Sequence, residues 1–190
     1  MENHKINKYI GNDKPLEIYS KSRDQYKYEN FALGFIVKDL GPYLILQTID
    51  DYGFLDSYTV MLKSDISKIS FGTTYSKLFD RYVEFTKESH LYDPFKLKEQ
   101  YKQFKTDDFL TLLADCFAHE AAVSIYTTAH DYVQQGRILL IKDGLITLNE
   151  VEYSELNGFN DVDENEPIPI EKITAMDILS KENFLFDRFS

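Results

Sequence analysis

Gly34-Phe35-Ile36-Val37-Lys38-Asp39, running on to Tyr43-Leu44-Ile45-Leu46-Gln47, sets the fold of this chain, because the same arrangement returns as Gly136-Arg137-Ile138-Leu139 and Ile146-Thr147-Leu148-Asn149. Each copy is a glycine, an apolar run of strand length, a turn and a second apolar run. The turns are Gly41-Pro42 in the first copy and Asp143-Gly144 in the second, residue pairs that favour tight reversals. A glycine at the head of a strand permits the strong bend that a small barrel needs. Both runs return at one offset, 102 residues from Gly34 to Gly136 and from Leu44 to Ile146. A lone hairpin cannot bury its own apolar face, so the recurrence predicts a repeated unit.

The match extends outward. Ile18-Tyr19-Ser20 with Asp24 resembles Ile125-Tyr126-Thr127 with Asp131, at an offset of 107 (Ile18 to Ile125). Ile66-Ser67-Lys68-Ile69 resembles Ile170-Glu171-Lys172-Ile173, at 104 (Ile66 to Ile170). The offset changes only within Gln25 to Leu33 and around Asn157 to Asn165, where hairpin tips tolerate insertion. Strands are expected over 16–23, 32–38, 43–49, 57–63 and 65–70, then over 122–128, 136–141, 145–151 and, beyond a long acidic loop, 168–175. The expected fold is mainly β with short helices: two tandem five-stranded barrels, each with a flanking helix. Residues 1–86 would form the first with its following helix, 87–106 a helical linker, and 107–190 the second with a leading helix.

Helical spacing marks the connecting segments. Tyr75, Leu78, Phe79, Tyr82 and Val83 recur on one face. Asp93-Pro94 is a helix start, with Leu97, Tyr101 and Phe104 along the face behind it. Thr106-Asp107-Asp108 opens another helix, whose face is Phe109, Leu112, Leu113, Cys116 and Phe117.

Composition bounds the function. The chain has 190 residues, is 43% hydrophobic and 15% aromatic, and has no Trp. That suits a globular core. The net charge of −11 excludes a whole-chain basic field for gripping phosphate. With Cys116 the single cysteine, no internal disulfide forms, and a reducing, cytoplasmic setting is expected. No apolar run reaches the roughly 18 residues of a membrane span.

A leading helix with five curved strands resembles the Sm-like, SH3-like open barrel. Gly34 to Asp39 followed by Tyr43 to Leu46 looks like that family's first motif, and Asp65 to Ile69 is similar to its closing strand. The resemblance implies edge-to-edge assembly into rings, three such chains standing in for six subunits, and binding of single-stranded RNA through two loops. Asp39 is at the loop position and Tyr43 stands where the family carries Asn. Lys63-Ser64 stands where it carries Arg-Gly, and the second copy has Ile141 in place of the loop aspartate. The fold resemblance is therefore stronger than the RNA-site resemblance.

Other motifs fall short. His119-Glu120 lacks the second His of a zinc-protease helix, since position 123 is Val. Asp161-Val162-Asp163-Glu164-Asn165 opens like a calcium loop but has Glu166 and Lys172 where Gly and Glu are required. Cys116 and His119 sit three apart on one helix, yet Cys116 also completes an apolar stripe. Lys96, Lys98, Lys102 and Lys105, interleaved with Phe95, Tyr101 and Phe104, form the best local basic patch. Its plainer reading is a solvated lysine face. No catalytic, metal or cofactor constellation is expected. The sequence favours a non-enzymatic module that binds a protein partner or its own copies through edges and loops. Single-stranded RNA, met by Asp39, Tyr43, Lys63, Lys98, Tyr101 and Lys102, is the alternative, ahead of an enzyme.

Overall fold

A computed structural model of the chain describes residues 6–22, 31–130, 132–157 and 164–189. Ten antiparallel strands dominate it: β1 (Leu16–Ser20), β2 (Ala32–Leu40), β3 (Tyr43–Ile49), β4 (Leu55–Leu62), β5 (Ile66–Phe71), β6 (Ala122–Thr127), β7 (Gln134–Lys142), β8 (Leu145–Leu148), β9 (Pro167–Pro169) and β10 (Ile173–Ser180). The α-helices α1 (Thr74–Glu88), α2 (Leu97–Tyr101), α3 (Phe109–Ala118), α4 (Glu150–Asn157) and α5 (Lys181–Phe189) connect and flank them.

The strands form one unclosed sheet in the order β5-β1-β2-β3-β4-β10-β6-β7-β8-β9. The expectation of two barrels, each closing on itself, is corrected here. Among the described residues no ladder joins β4 to β5 or β9 to β10. The outer edge of β4 bonds to β10 instead, with Met61 facing Ala175 and Val60 facing Met176. The reason is physical: an edge strand keeps unpaired donors and acceptors until a neighbour arrives, and here the other half of the chain supplies that neighbour.

Within the continuous sheet, both halves run fifth-first-second-third-fourth. The registers coincide in detail. Leu16 pairs with Gly34 as Val123 pairs with Gly136, and Ile18 with Ala32 as Ile125 with Gln134. The register of β2 on β3 shifts between Ile36 and Lys38, and that of β7 on β8 between Ile138 and Leu140. A Cβ on Gly34 would lie 2.2 Å from the Gln47 carbonyl oxygen, and one on Gly136 2.6 Å from that of Asn149. These are the two glycines from which the sequence reading began.

One matched block is mis-set by three residues. Ile66 opposes Ser20 while Ile173, not Ile170, opposes Thr127, so the fifth strands stand 107 apart (Ile66 to Ile173). Ile170–Lys172 forms a 3-10 turn ahead of β10, which breaks the strand expected over 168–175. The strand expected over 145–151 also stops early, at Leu148. There α4 begins, because the Asn165 side-chain oxygen accepts from the Glu150 and Val151 N–H groups at 2.9 and 3.1 Å. β1 ends at Ser20; Arg23, Asp24, Asp131 and 161–163 lie outside the described residues.

The largest core takes Phe35, Ile45 and Val60 from the first half, Val123, Ile125 and Ile146 from the second, and Leu97, Leu112 and Cys116 from the helices between. It therefore crosses all three stretches expected as domains and linker. A second core lies within the first half, built on Leu16, Ile18, Leu44, Leu46 and Met61 and covered by Ile6. The stripe expected on α1 is half used: Phe79 and Val83 are buried, whereas Tyr75, Leu78 and Tyr82 are partly exposed. Gly53 decides this. Its backbone lies so close to Tyr82 and Val83 that a Cβ would fall within 3.0 Å of them, and its carbonyl accepts from the Thr86 hydroxyl at 3.0 Å. The buried face is thus rotated toward Phe79, Val83 and Thr86. α3 starts as expected, with the Asp108 carboxylate accepting from Thr111 N–H at 2.9 Å, although Phe117 faces outward. α2 begins at Leu97, later than Asp93-Pro94 suggests; the Asp93 carboxylate still caps it, accepting from Leu97 and Lys98 N–H at 2.8 and 2.9 Å. No described helix is long and apolar enough to cross a membrane.

Candidate functional site

The β2–β3 and β4–β5 turns, which the sequence pairs with the RNA-contacting loops of the Sm-like family, do come together. Lys63 N–H donates to the Pro42 carbonyl at 2.9 Å. The Lys63 ammonium meets the Asp39 carboxylate at 2.6 Å, and Asp39 also accepts from Gly41 N–H at 2.8 Å. Lys63 is 7% exposed. Burial works to raise the Asp39 carboxyl, but the Lys63 ammonium and the Gly41 amide outweigh it and hold the group below the usual aspartate range. The two charges expected to face a ligand thus neutralise each other.

Tyr43 is buried, its ring stacked on Phe109 with centres 4.1 Å apart. Around this stack the β2–β3 turn, the start of α3 and the β7–β8 turn enclose a cleft of about 800 Å³, lined by Leu40, Pro42, Leu110, Leu145 and Ile170. Asp108, Asp143 and Glu171 add carboxylates to its lining. The cleft is apolar with an acidic fringe, a chemistry that opposes a phosphate backbone.

The lysine-rich segment is placed elsewhere. Tyr101 stacks on Tyr58 at 4.0 Å between centres, with planes 4° apart. The Lys98 ammonium lies 4.6 Å from the centre of the Tyr92 ring. Burial along that ring, helped by the nearby Lys87, lowers the Lys98 ammonium from the usual lysine value. Lys102 is exposed. Two of the rings expected to stack on bases, Tyr43 and Tyr101, are therefore stacked inside the protein.

Cys116 is fully buried, and burial pushes its thiol up to about 12, far from the thiolate a nucleophile needs. The His119 ring contacts the Asp115 carbonyl at 2.8 Å. No group of three or more His, Cys, Asp and Glu side chains suited to a metal ion occurs among the described residues.

Sequence reasoning missed the union of the two halves. On β10, Asp177 accepts from the Thr59 hydroxyl of β4 and, at 3.2 Å, from the Tyr126 hydroxyl of β6. At its end Lys181 bridges Asp50 and Asp56. It also missed the contrast between the ends of the sheet. In β9, Ile168 faces Ile146, and Ile170 N–H donates to the Gly144 carbonyl at 2.9 Å. Residues 168 and 170 therefore turn their amides toward β8, while Pro167 and Pro169 hold the outward positions and have no N–H to offer. β5 has no proline. The two prolines flanking an isoleucine were the available signal. Compared with known protein families, curated proteins and solved structures, the chain matches none.

Proposed function

We propose that this chain is a non-enzymatic assembly module of two diverged Sm-like units, and that it joins a second copy of itself through the open edge of β5. One observation carries the reading. By register β5 corresponds to β10, and β10 uses the matching edge to hold β4 within the chain. The outer edge of β5, unpaired among the described residues, is thus the counterpart of an edge already in use. It runs Ile66-Ser67-Lys68-Ile69-Ser70-Phe71, with every backbone donor intact and with Ser67, Lys68 and Phe71 exposed. Pairing of β5 with β5 is isologous and closes at two subunits. The three-chain ring would need β5 to bond β9, whose outward prolines remove the donors. Single-stranded RNA has less behind it, because Asp39 and Lys63 are mutually paired and Tyr43 is covered by Phe109.

The test is molar mass by light scattering across a wide concentration range, on the parent chain and on Lys68→Pro and Ile69→Pro. Amides of adjacent strand residues point to opposite edges. One of the two prolines therefore breaks the ladder to β1 and the fold, while the other removes a donor from the open edge alone. The expected result is a concentration-dependent dimer, lost in the variant that keeps its circular dichroism. A strict monomer at high concentration, or a dimer untouched by the folded variant, overturns the proposal.

A further inference from the structure

The cleft between the β2–β3 turn, the start of α3 and the β7–β8 turn leaves apolar surface uncovered. Leu110 is 61% exposed, the most exposed leucine among the described residues, and Leu145 across the cleft is 39% exposed. The lining adds the carboxylates of Asp108, Asp143 and Glu171 and, among the described residues, no cationic side chain. Asp108 caps α3 and keeps its charge there. Asp143 and Glu171 are free to turn toward a ligand. Their side chains are 83% and 81% exposed, and their cations are the sequence neighbours Lys142 and Lys172, at 4.0 and 3.9 Å. Pairs so exposed and so long hold little energy. A second acid-lined cleft, among Glu17, Phe31, Asp51 and Tyr75, differs in using its buried carboxylate internally: Glu17 accepts from the Tyr19 and Thr73 hydroxyls.

An apolar surface fringed by negative charge is complementary to an apolar segment that carries positive charge. The form of that segment follows from the main chain of the lining. Pro42 and Pro169 have no N–H to donate. The Pro42, Gly144 and Asp108 carbonyls already accept from Lys63, Ile170 and Leu112 N–H, at 2.9, 2.9 and 3.1 Å. An extended peptide would find few main-chain partners here. A helix satisfies its own backbone and presents side chains alone.

We infer that this cleft seats an amphipathic helix of a partner protein. Its apolar stripe lies against Leu110, Leu145 and Ile170, and its lysine or arginine residues lie beside Asp143 and Glu171.

Three synthetic peptides of about 15 residues, long enough to fold as a helix when bound, test this. The first is leucine and lysine with the leucines at i, i+3, i+4 and i+7. The second has glutamate for lysine, and the third is a scramble of the first with no apolar face. Each is titrated into the full chain by calorimetry, with NMR shifts locating the contact. The first is expected to bind with shifts at Leu110, Leu145 and Ile170, and the others to bind about tenfold or more weakly. Leu110→Ser should weaken binding about fivefold or more. Glu171→Lys should weaken it about threefold at low salt and less as salt rises. Leu185→Ser and Glu88→Lys, at exposed positions elsewhere, should leave it unchanged. No binding by the first peptide, equal binding of either control, or unchanged affinity in both cleft variants overturns the inference. So does either other occupant. A fall in the molar mass of the unliganded chain on Leu110→Ser would assign the cleft to a second copy, and Leu110-dependent flotation with phosphatidylcholine vesicles would assign it to a membrane surface. The variants leave β5 intact, so pairing through that edge stands or falls separately.

Discussion

The two halves bury the same inner positions with different chemistry at one of them. In the first half the inner set is Leu16, Ile18, Ala32, Ile36, Leu44, Leu46, Met61 and Ile66. The registers carry these to Val123, Ile125, Gln134, Ile138, Ile146, Leu148, Ile168 and Ile173, all buried. Only the Ala32 position turns polar. Gln134 donates from its amide nitrogen to Glu150 at 3.0 Å, and its own carbonyl oxygen finds no partner among the described residues. Burial pushes the Glu150 carboxyl up to about 7, opposed by the Gln134 hydrogen bond and assisted by Glu166. The comparison teaches that strand order and register survive the loss of an all-apolar interior, provided an added element supplies a partner. That element is α4, which occupies the place of the short Asp50–Phe54 turn of the first half.

The strongest way to break the comparison is at its shared bend. Gly34→Ala and Gly136→Ala each place a Cβ well inside contact distance of backbone that has no room to move. Each is expected to cost about 3 kcal/mol or more in urea unfolding. At Gly136 a backbone φ of 154° adds strain. If either substitution is tolerated, the bend is not a common requirement of both halves.

A smaller effect separates the halves by pH. The Glu150 carboxyl titrates higher in the folded chain than its ordinary 4.5. Its neutral form is favoured by folding, so the associated stability is full below pH 4.5 and is lost as pH rises through about 7. Glu150→Gln should remove that decline and raise stability at pH 8 by about 1–2 kcal/mol, after allowance for partial exposure. An unchanged pH profile would place the cost elsewhere.

The smallest effect has the opposite sign and belongs to the first half. Asp39 is held below its usual range, so its contribution is present above about pH 3.8 and is lost as pH falls through the folded value. Asp39→Asn should lower stability at pH 7 by roughly 0.5–1 kcal/mol and converge with the parent only as pH falls through the folded value. The matching position, Ile141, carries no such pair, and Ile141→Val should show no comparable pH dependence.

Much of the local structure was legible. The glycine-led hairpins and the β2–β3 and β7–β8 registers follow from the 102-residue offset, because side-chain period and turn chemistry are local properties. The Asp108 cap of α3 was equally plain. The end of β8 was not, since the cap of α4 is Asn165, fifteen residues beyond Glu150. Nor was the fifth-strand offset, because the apolar match Ile170 to Ile173 outscored a register that only the ladder to β6 defines. Of the candidate site residues, the sequence brought Asp39, Tyr43 and Lys63 to adjoining turns; nothing in it signalled that Asp39 and Lys63 would pair with each other or that Phe109 would cover Tyr43.

By itself the amino-acid sequence determined a mainly β chain whose glycine-bent hairpin occurs twice in the same register. Only the tertiary structure decided that β4 pairs with β10, that among the described residues the sheet ends unpaired at β5 and with outward prolines at β9, and that Glu17, Phe31, Asp51 and Tyr75 share one cleft. The reason lies in range. Bends, turns and caps are written in neighbouring residues, whereas an edge chooses its partner, and a cleft its walls, from segments far apart in sequence whose contact has no local signature.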